Sequence, residues 1–179
     1  MFWQARRRRF TIQSFSKYRS PENGRALRHL RFASRHEKLH HIFPDCLYLL
    51  GLDGKILNKW AVEKIVPRGG MSGNVRLDAS PDGRTLLMDV EMDEKERKGW
   101  DGPPPSIWTL DLTTGRSTRL TPKTLYAWDC HWLDAPGSIV FSSQGPNEKS
   151  PSIYTMTTAG QGKDRKLLIK NARTPSTSR

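Results

Sequence analysis

The chain has 179 residues, 35% apolar and 27% charged, with 2 cysteines and a formal net charge of +12. No window approaches the ~18 consecutive apolar residues of a membrane-crossing helix, and Cys46 and Cys130 form no Cys-x-x-Cys pair, so membrane-helix, thiolate-zinc and disulfide-stapled classes are excluded. Residues 1–40 hold 11 Lys/Arg against 2 acids and the other 139 hold 19 against 16, so the basic character is local and marks no nucleic-acid-binding face on the whole molecule.

Residues 1–21 carry no acid and include the run Arg6 to Arg9 before Phe10. An export signal of the twin-arginine kind needs an apolar stretch next, and Thr11-Ile12-Gln13-Ser14-Phe15-Ser16-Lys17 is polar. No signal peptide is recognisable and the compartment stays unknown from these residues. The composition fits a basic arm, sequence upstream of a true start, or an organellar transit peptide, and such an arm attracts phosphates or anionic lipid through charge alone.

From Arg25 to Phe43 the apolar residues Leu27, Leu30, Phe32, Ala33, Leu39, Ile42 and Phe43 fall loosely on one side, which predicts a basic helix. Within it His36-Glu37-Lys38-Leu39-His40 has the spacing of a zinc-protease helix, where two histidines four apart chelate the metal and the glutamate activates water. Lys38 and Arg35 place cations beside the proposed dication, and no third ligand is marked beyond Glu63 or His41 as nominees. The expectation is a solvated or partner-covered helix, with no metal and no cofactor. Residues 1–45 are therefore expected to form a basic arm, disordered to helical, and residues 46–179 the folded part.

Three segments of that part end alike. Leu47 to Gly54, Ile107 to Gly115 and Ile153 to Gly160 are apolar-aromatic runs that close on a Gly-bearing turn and continue into a basic run. This is a hairpin signal. Between them, Asn74 to Ala79 enters the turn Ser80-Pro81-Asp82-Gly83, and Ala127 to Leu133 enters Asp134-Ala135-Pro136-Gly137, each followed by a strand. Proline presets φ, aspartate closes a side-chain turn and glycine takes the left-handed position. A third copy begins at Ala172. Four antiparallel strands per ~40–50 residues is the arithmetic of a propeller blade, and a β-sandwich has no reason to repeat one turn in one place.

Leu77-Asp78-Ala79-Ser80-Pro81-Asp82-Gly83-Arg84, then Ile107-Trp108-Thr109-Leu110-Asp111 and Arg119-Leu120-Thr121, resembles the WD-like repeat of TolB-type β-propellers. The later copy departs at Asp134-Ala135-Pro136-Gly137 and at Thr157, which stands where the strand's aspartate belongs. The resemblance implies an all-β, incomplete propeller of two to three four-stranded blades, from a family whose full ring has six. It implies a protein-binding platform of the bacterial cell envelope or periplasm. So short a chain is expected to be a fragment, or to complete a ring by oligomerising through its open edges.

The expected function is a non-catalytic binding or scaffold module with no enzyme activity, no specific nucleic acid and an unidentified protein partner. The alternative is the propeller part of a larger serine peptidase or polysaccharide lyase whose catalytic residues lie outside this chain, since no Gly-x-Ser-x-Gly elbow is present. Cys130 and His131 are neighbours on an alternating strand and so point to opposite faces, which argues against a nucleophilic pair. The acidic stretch from Asp89 to Asp101 is interleaved with Lys95, Arg97 and Lys98 and reads as a solvated charged loop. Its tip, Trp100, Asp101, Pro103 and Pro104, is the expected partner-contact site. Ser80, Pro81, Asp82, Gly83, Pro136 and Gly137 are expected to be structural turn residues.

Overall fold

The computed structural model describes residues 16–19, 27–33, 46–50, 55–71, 75–95, 100 and 102–177; for the two segments ahead of Cys46 only the backbone is described. A first sheet runs in the order β1 (Ser16–Arg19), β2 (Leu27–Ala33), β3 (Cys46–Leu50), β4 (Ile56–Ala61). A single turn of helix, α1 (Val62–Ile65), leads to the second sheet. That sheet contains β5 (Gly69–Gly70), β6 (Leu77–Ala79), β7 (Thr85–Met92), β8 (Pro105–Asp111) and β9 (Ser117–Arg119). The third runs β10 (Tyr126–Trp132), β11 (Ser138–Gln144), β12 (Ser152–Thr157), β13 (Lys166–Ile169). Every pairing within them is antiparallel. These are three blades of an incomplete propeller.

The helix expected over 25–43 is corrected by this topology. Residues 27–33 form a strand whose Leu30 and Phe32 sit opposite Leu49 and Leu47 of β3. The loose helical spacing ignored the alternation of Leu30-Arg31-Phe32, and a buried strand such as β3 needs ladder partners for its backbone on both edges. The first sheet thus draws on residues ahead of Cys46, across the 45/46 boundary. His36 and His40 lie outside the described residues.

The inner edge of the second blade is broken. β5 and β6 pair with the same edge of β7, at Gly69↔Met92 and Leu77↔Met88. The chain passes so close to Val66 at Gly69 that a Cβ there would lie 2.3 Å from a valine methyl, so only glycine fits.

β7 is buried on both faces because a blade lies on each side of it. Leu86, Met88, Val90 and Met92 join Leu47, Leu49, Trp60 and the apolar face of α1 in one core between the first and second blades. Leu87 and Ile107 join Ala127, Trp132, Phe141 and Tyr154 in another, between the second and third. Burial on both faces explains why Leu86-Leu87-Met88 reads as a continuous apolar run and not as an alternation. Residues 171–177 pack back on the third blade: Ser152 Oγ accepts the Asn171 N–H (3.1 Å), Ser142 Oγ accepts the Thr174 N–H (2.9 Å), and Pro175 is buried.

Candidate functional site at the seam of the second and third blades

β10 is the innermost strand of its blade, so among the described residues one edge of it carries no ladder partner. A backbone N–H buried there must find another acceptor. Two aspartates of the second blade supply it. Asp89 Oδ2 accepts the N–H of Asp129 at 2.7 Å, while its Oδ1 accepts the N–H of Arg76 at 2.6 Å within its own blade. Asp78 Oδ2 accepts the N–H of Trp132 at 2.9 Å, and the Trp132 indole N–H donates to the Asp78 carbonyl at 3.0 Å.

Between these two anchors β10 is bulged, with a register shift from Trp128 to His131 and Asp129 at φ +51°. The bulge departs from the simple alternation expected of this strand. It turns the Asp129 N–H toward Asp89. Cys130 is fully buried and burial, with the Asp89 and Asp78 carboxylates adding, pushes its thiol well above the usual range. His131 lies half-buried, its Nδ1 3.6 Å from Asp78 Oδ2. Cys130 is thus interior and His131 half-buried, and both lie within the influence of the Asp78 carboxylate.

Burial pushes the Asp89 carboxyl up to about 7, outweighing the two N–H donors that favour its charged form; the Asp129 carboxylate adds to the rise and the Arg76 guanidinium opposes it. Arg76 Nε lies 3.5 Å from Asp129 Oδ1. Asp89 thus belongs to the strand β7 and to the interior, not to the solvated loop assigned to it on sequence.

Above this seam opens a cleft of about 420 Å³, lined among others by Asp89, Glu91, Trp100, Trp128, Asp129 and Arg173. The half-buried Trp100 ring rests edge-on against Tyr126, centroids 4.7 Å apart, and tilted against Trp128 at 5.7 Å. Pro103 is exposed and Pro104 buried, its carbonyl accepting the Met92 N–H at 2.9 Å. Asp101 lies outside the described residues. Glu94, expected in a solvated loop, folds back onto Arg119 (2.7 Å) and Lys123 (3.4 Å). Partial burial alone raises its carboxyl, but these two cations hold it below the ordinary range.

At the opposite end of the seam stand the repeat turns. Ser80 Oγ donates to Asp82 Oδ1 (2.6 Å) and accepts the Thr85 N–H (2.9 Å), with Gly83 at φ +68°. Gly137 also has φ +68°, but its turn lacks the serine and closes through Ser138 N–H to the Ala135 carbonyl at 3.0 Å. The third blade caps the same turn without the strand aspartate. In the second blade Asp111 Oδ1 caps the N–H groups of Thr113 and Thr114; in the third, Thr157 Oγ1 accepts the Gly160 N–H at 3.1 Å, and Asp164 Oδ2 takes the Thr157 N–H and hydroxyl at 2.9 and 2.7 Å.

The residues that sequence reasoning missed are Asp78, Asp89, Asp129 and Arg76. One signal was present, an acid set inside the apolar run Leu86-Leu87-Met88-Asp89-Val90. Among the described residues, no helix is long and apolar enough to cross a membrane, and no three His, Cys, Asp or Glu side chains are grouped to hold a metal.

No protein-family model and no curated protein matches the chain. Among solved structures, TolB from Acinetobacter baumannii superimposes with a TM-score of 0.58 at 16% identity, over 88% of this chain and 32% of that one. A candidate TolB from Agrobacterium tumefaciens gives 0.53 at 17%, over 89% and 49%. The chain spans about a third to a half of the length of these structures. The fold is that of a TolB-like β-propeller, present as three blades.

Proposed function

We propose that this chain is a non-catalytic protein-binding module, a scaffold of propeller blades that receives its partner at the cleft between the second and third blades. The observation that carries the reading is the Trp100–Trp128–Tyr126 cluster. Partly exposed tryptophans on a rigid base bring large contact area at low cost in side-chain entropy, and such residues dominate binding energy at interfaces. The carboxylate lining the cleft with a raised pKa, Asp89, has each oxygen engaged by a backbone N–H that joins strands, which supports a structural task over proton transfer. Cys130, buried with its thiol pushed up, is in the state of an inert cysteine. The bacterial cell envelope belongs to this reading as its expected setting.

The test is a comparison of proteins crosslinked to the full chain and to its Trp100→Ala/Trp128→Ala variant, with circular dichroism confirming that both keep their sheets. The expected result is a partner whose crosslinks map around the cleft and which the variant loses by about tenfold or more, as for a pair of interface anchors. Equal capture by both proteins overturns the assignment of the cleft.

A further inference from the structure

The outermost strand of each blade leaves one edge of its backbone unpaired among the described residues. Natural edge strands are usually short, polar or charged, because an apolar open edge invites another strand. The second blade obeys this with Ser117-Thr118-Arg119 in β9. The third does not. In β13 Leu167, Leu168 and Ile169 are 55%, 58% and 50% exposed. Their register against β12 shifts between Leu167 and Ile169, so Leu168 is the extra residue of a bulge and the alternation that would hide part of the run is lost.

The chain along this apolar edge is predominantly basic. Lys163, Arg165, Lys166 and Lys170 flank it in sequence, and the acids nearby are engaged: Asp164 Oδ2 accepts the Thr157 N–H and hydroxyl, and Glu148 Oε1 accepts the Tyr154 hydroxyl at 2.8 Å. Arg165 is held over the Tyr154 ring, 4.3 Å from its centroid. The motif recurs on the outermost strand of the first blade as Lys55-Ile56-Leu57-Asn58-Lys59, where Ile56 and Leu57 are 61% and 49% exposed.

We propose that the β13 edge is a docking site for an extended acidic peptide segment, which adds to the third blade as a further strand. Its backbone completes the hydrogen-bonding edge, its apolar centre covers Leu167 to Ile169, and its carboxylates meet Lys166 and Lys170. Charge selects this occupant over a second copy of the chain, because two β13 edges laid antiparallel would set lysine against lysine. It selects an extended peptide over a nucleic acid because the apolar centre, Leu167 to Ile169, has nothing to offer phosphates. The site is remote in sequence from the Trp100 loop.

The experiment is fluorescence anisotropy on the full chain with the labelled peptide Asp-Glu-Val-Tyr-Val-Thr-Glu-Asp, at low and physiological salt. Saturable binding is expected, weakening as salt rises. Lys166→Glu/Lys170→Glu is expected to lower affinity by about tenfold or more. The same peptide N-methylated at alternate amides is expected to lose binding, a probe that needs no protein variant. Failure of the parent peptide to bind overturns the proposal, and so does equal binding of the N-methylated form. Tighter, lysine-dependent binding of an oligouridylate or of phosphatidylglycerol vesicles also overturns it.

Discussion

Asp89 is a carboxylate whose task and whose protonation pull in opposite directions. Its two oxygens accept N–H groups from two blades, yet its burial raises its pKa to about 7 from the ordinary value of 3.8. A carboxyl whose folded pKa is raised contributes stability that is full below the unfolded pKa and is lost as pH rises through the folded one. Asp82 and Asp111 behave oppositely. The Ser80 hydroxyl and the Thr114 N–H, respectively, hold them low, so their contribution is lost as pH falls. Asp89→Asn isolates the first effect, since the other carboxylates are common to both proteins and cancel in the difference. Asparagine also turns an NH₂ toward one of the two N–H donors, at a cost of about 1–3 kcal/mol. Urea midpoints measured between pH 4 and 8 should show the advantage of the parent over the variant shrinking as pH rises. Parallel pH profiles would mean that Asp89 keeps its charge when folded.

The element that organises the seam is β10, held from outside its own ladder by Asp78 and Asp89. Trp132→Phe removes the indole N–H donated to the Asp78 carbonyl together with part of a buried ring, so it should cost about 1 kcal/mol or more in urea unfolding. A loss below about 0.3 kcal/mol would show that neither this bond nor the ring's packing holds the seam. The hairpins β3–β4, β8–β9 and β12–β13 could be read in the sequence because each turn announces itself locally by Gly, Asp or Thr at fixed offsets. The Ser80-Pro81-Asp82-Gly83 turn was equally plain. The clamps on β10 were not, because Asp78, Asp89 and Trp132 are brought together only by the stacking of blades and have no spacing along the chain. β2 was misread for a related reason. Its strand character comes from the ladder with β3, and over seven residues a few apolar side chains fit a helix and a strand equally well. At Thr157 the repeat looks defective, yet its own hydroxyl caps the Gly160 N–H and is held in place by Asp164 of the turn.

Among the described residues the blades pack through neighbours, one core joining the first to the second and another joining the second to the third, with β7 contributing a face to each. Stacked repeats of this kind owe their stability to the sum of each unit and its nearest interfaces. A cavity cut into one core should therefore be felt on its own side and in β7, and not beyond. Leu47 and Phe141, both fully buried, sit in the two cores. Leu47→Ala should cost about 2–5 kcal/mol and Phe141→Ala about 3–5 kcal/mol at their own interfaces. In hydrogen exchange, Leu47→Ala should then speed the amides of β3 and β7 while β11 and β12 keep their protection. Phe141→Ala should speed β7, β11 and β12 and spare β3. Uniform loss of protection in all three sheets from either substitution would show one cooperative unit, in which the middle blade transmits a defect undiminished from one face to the other.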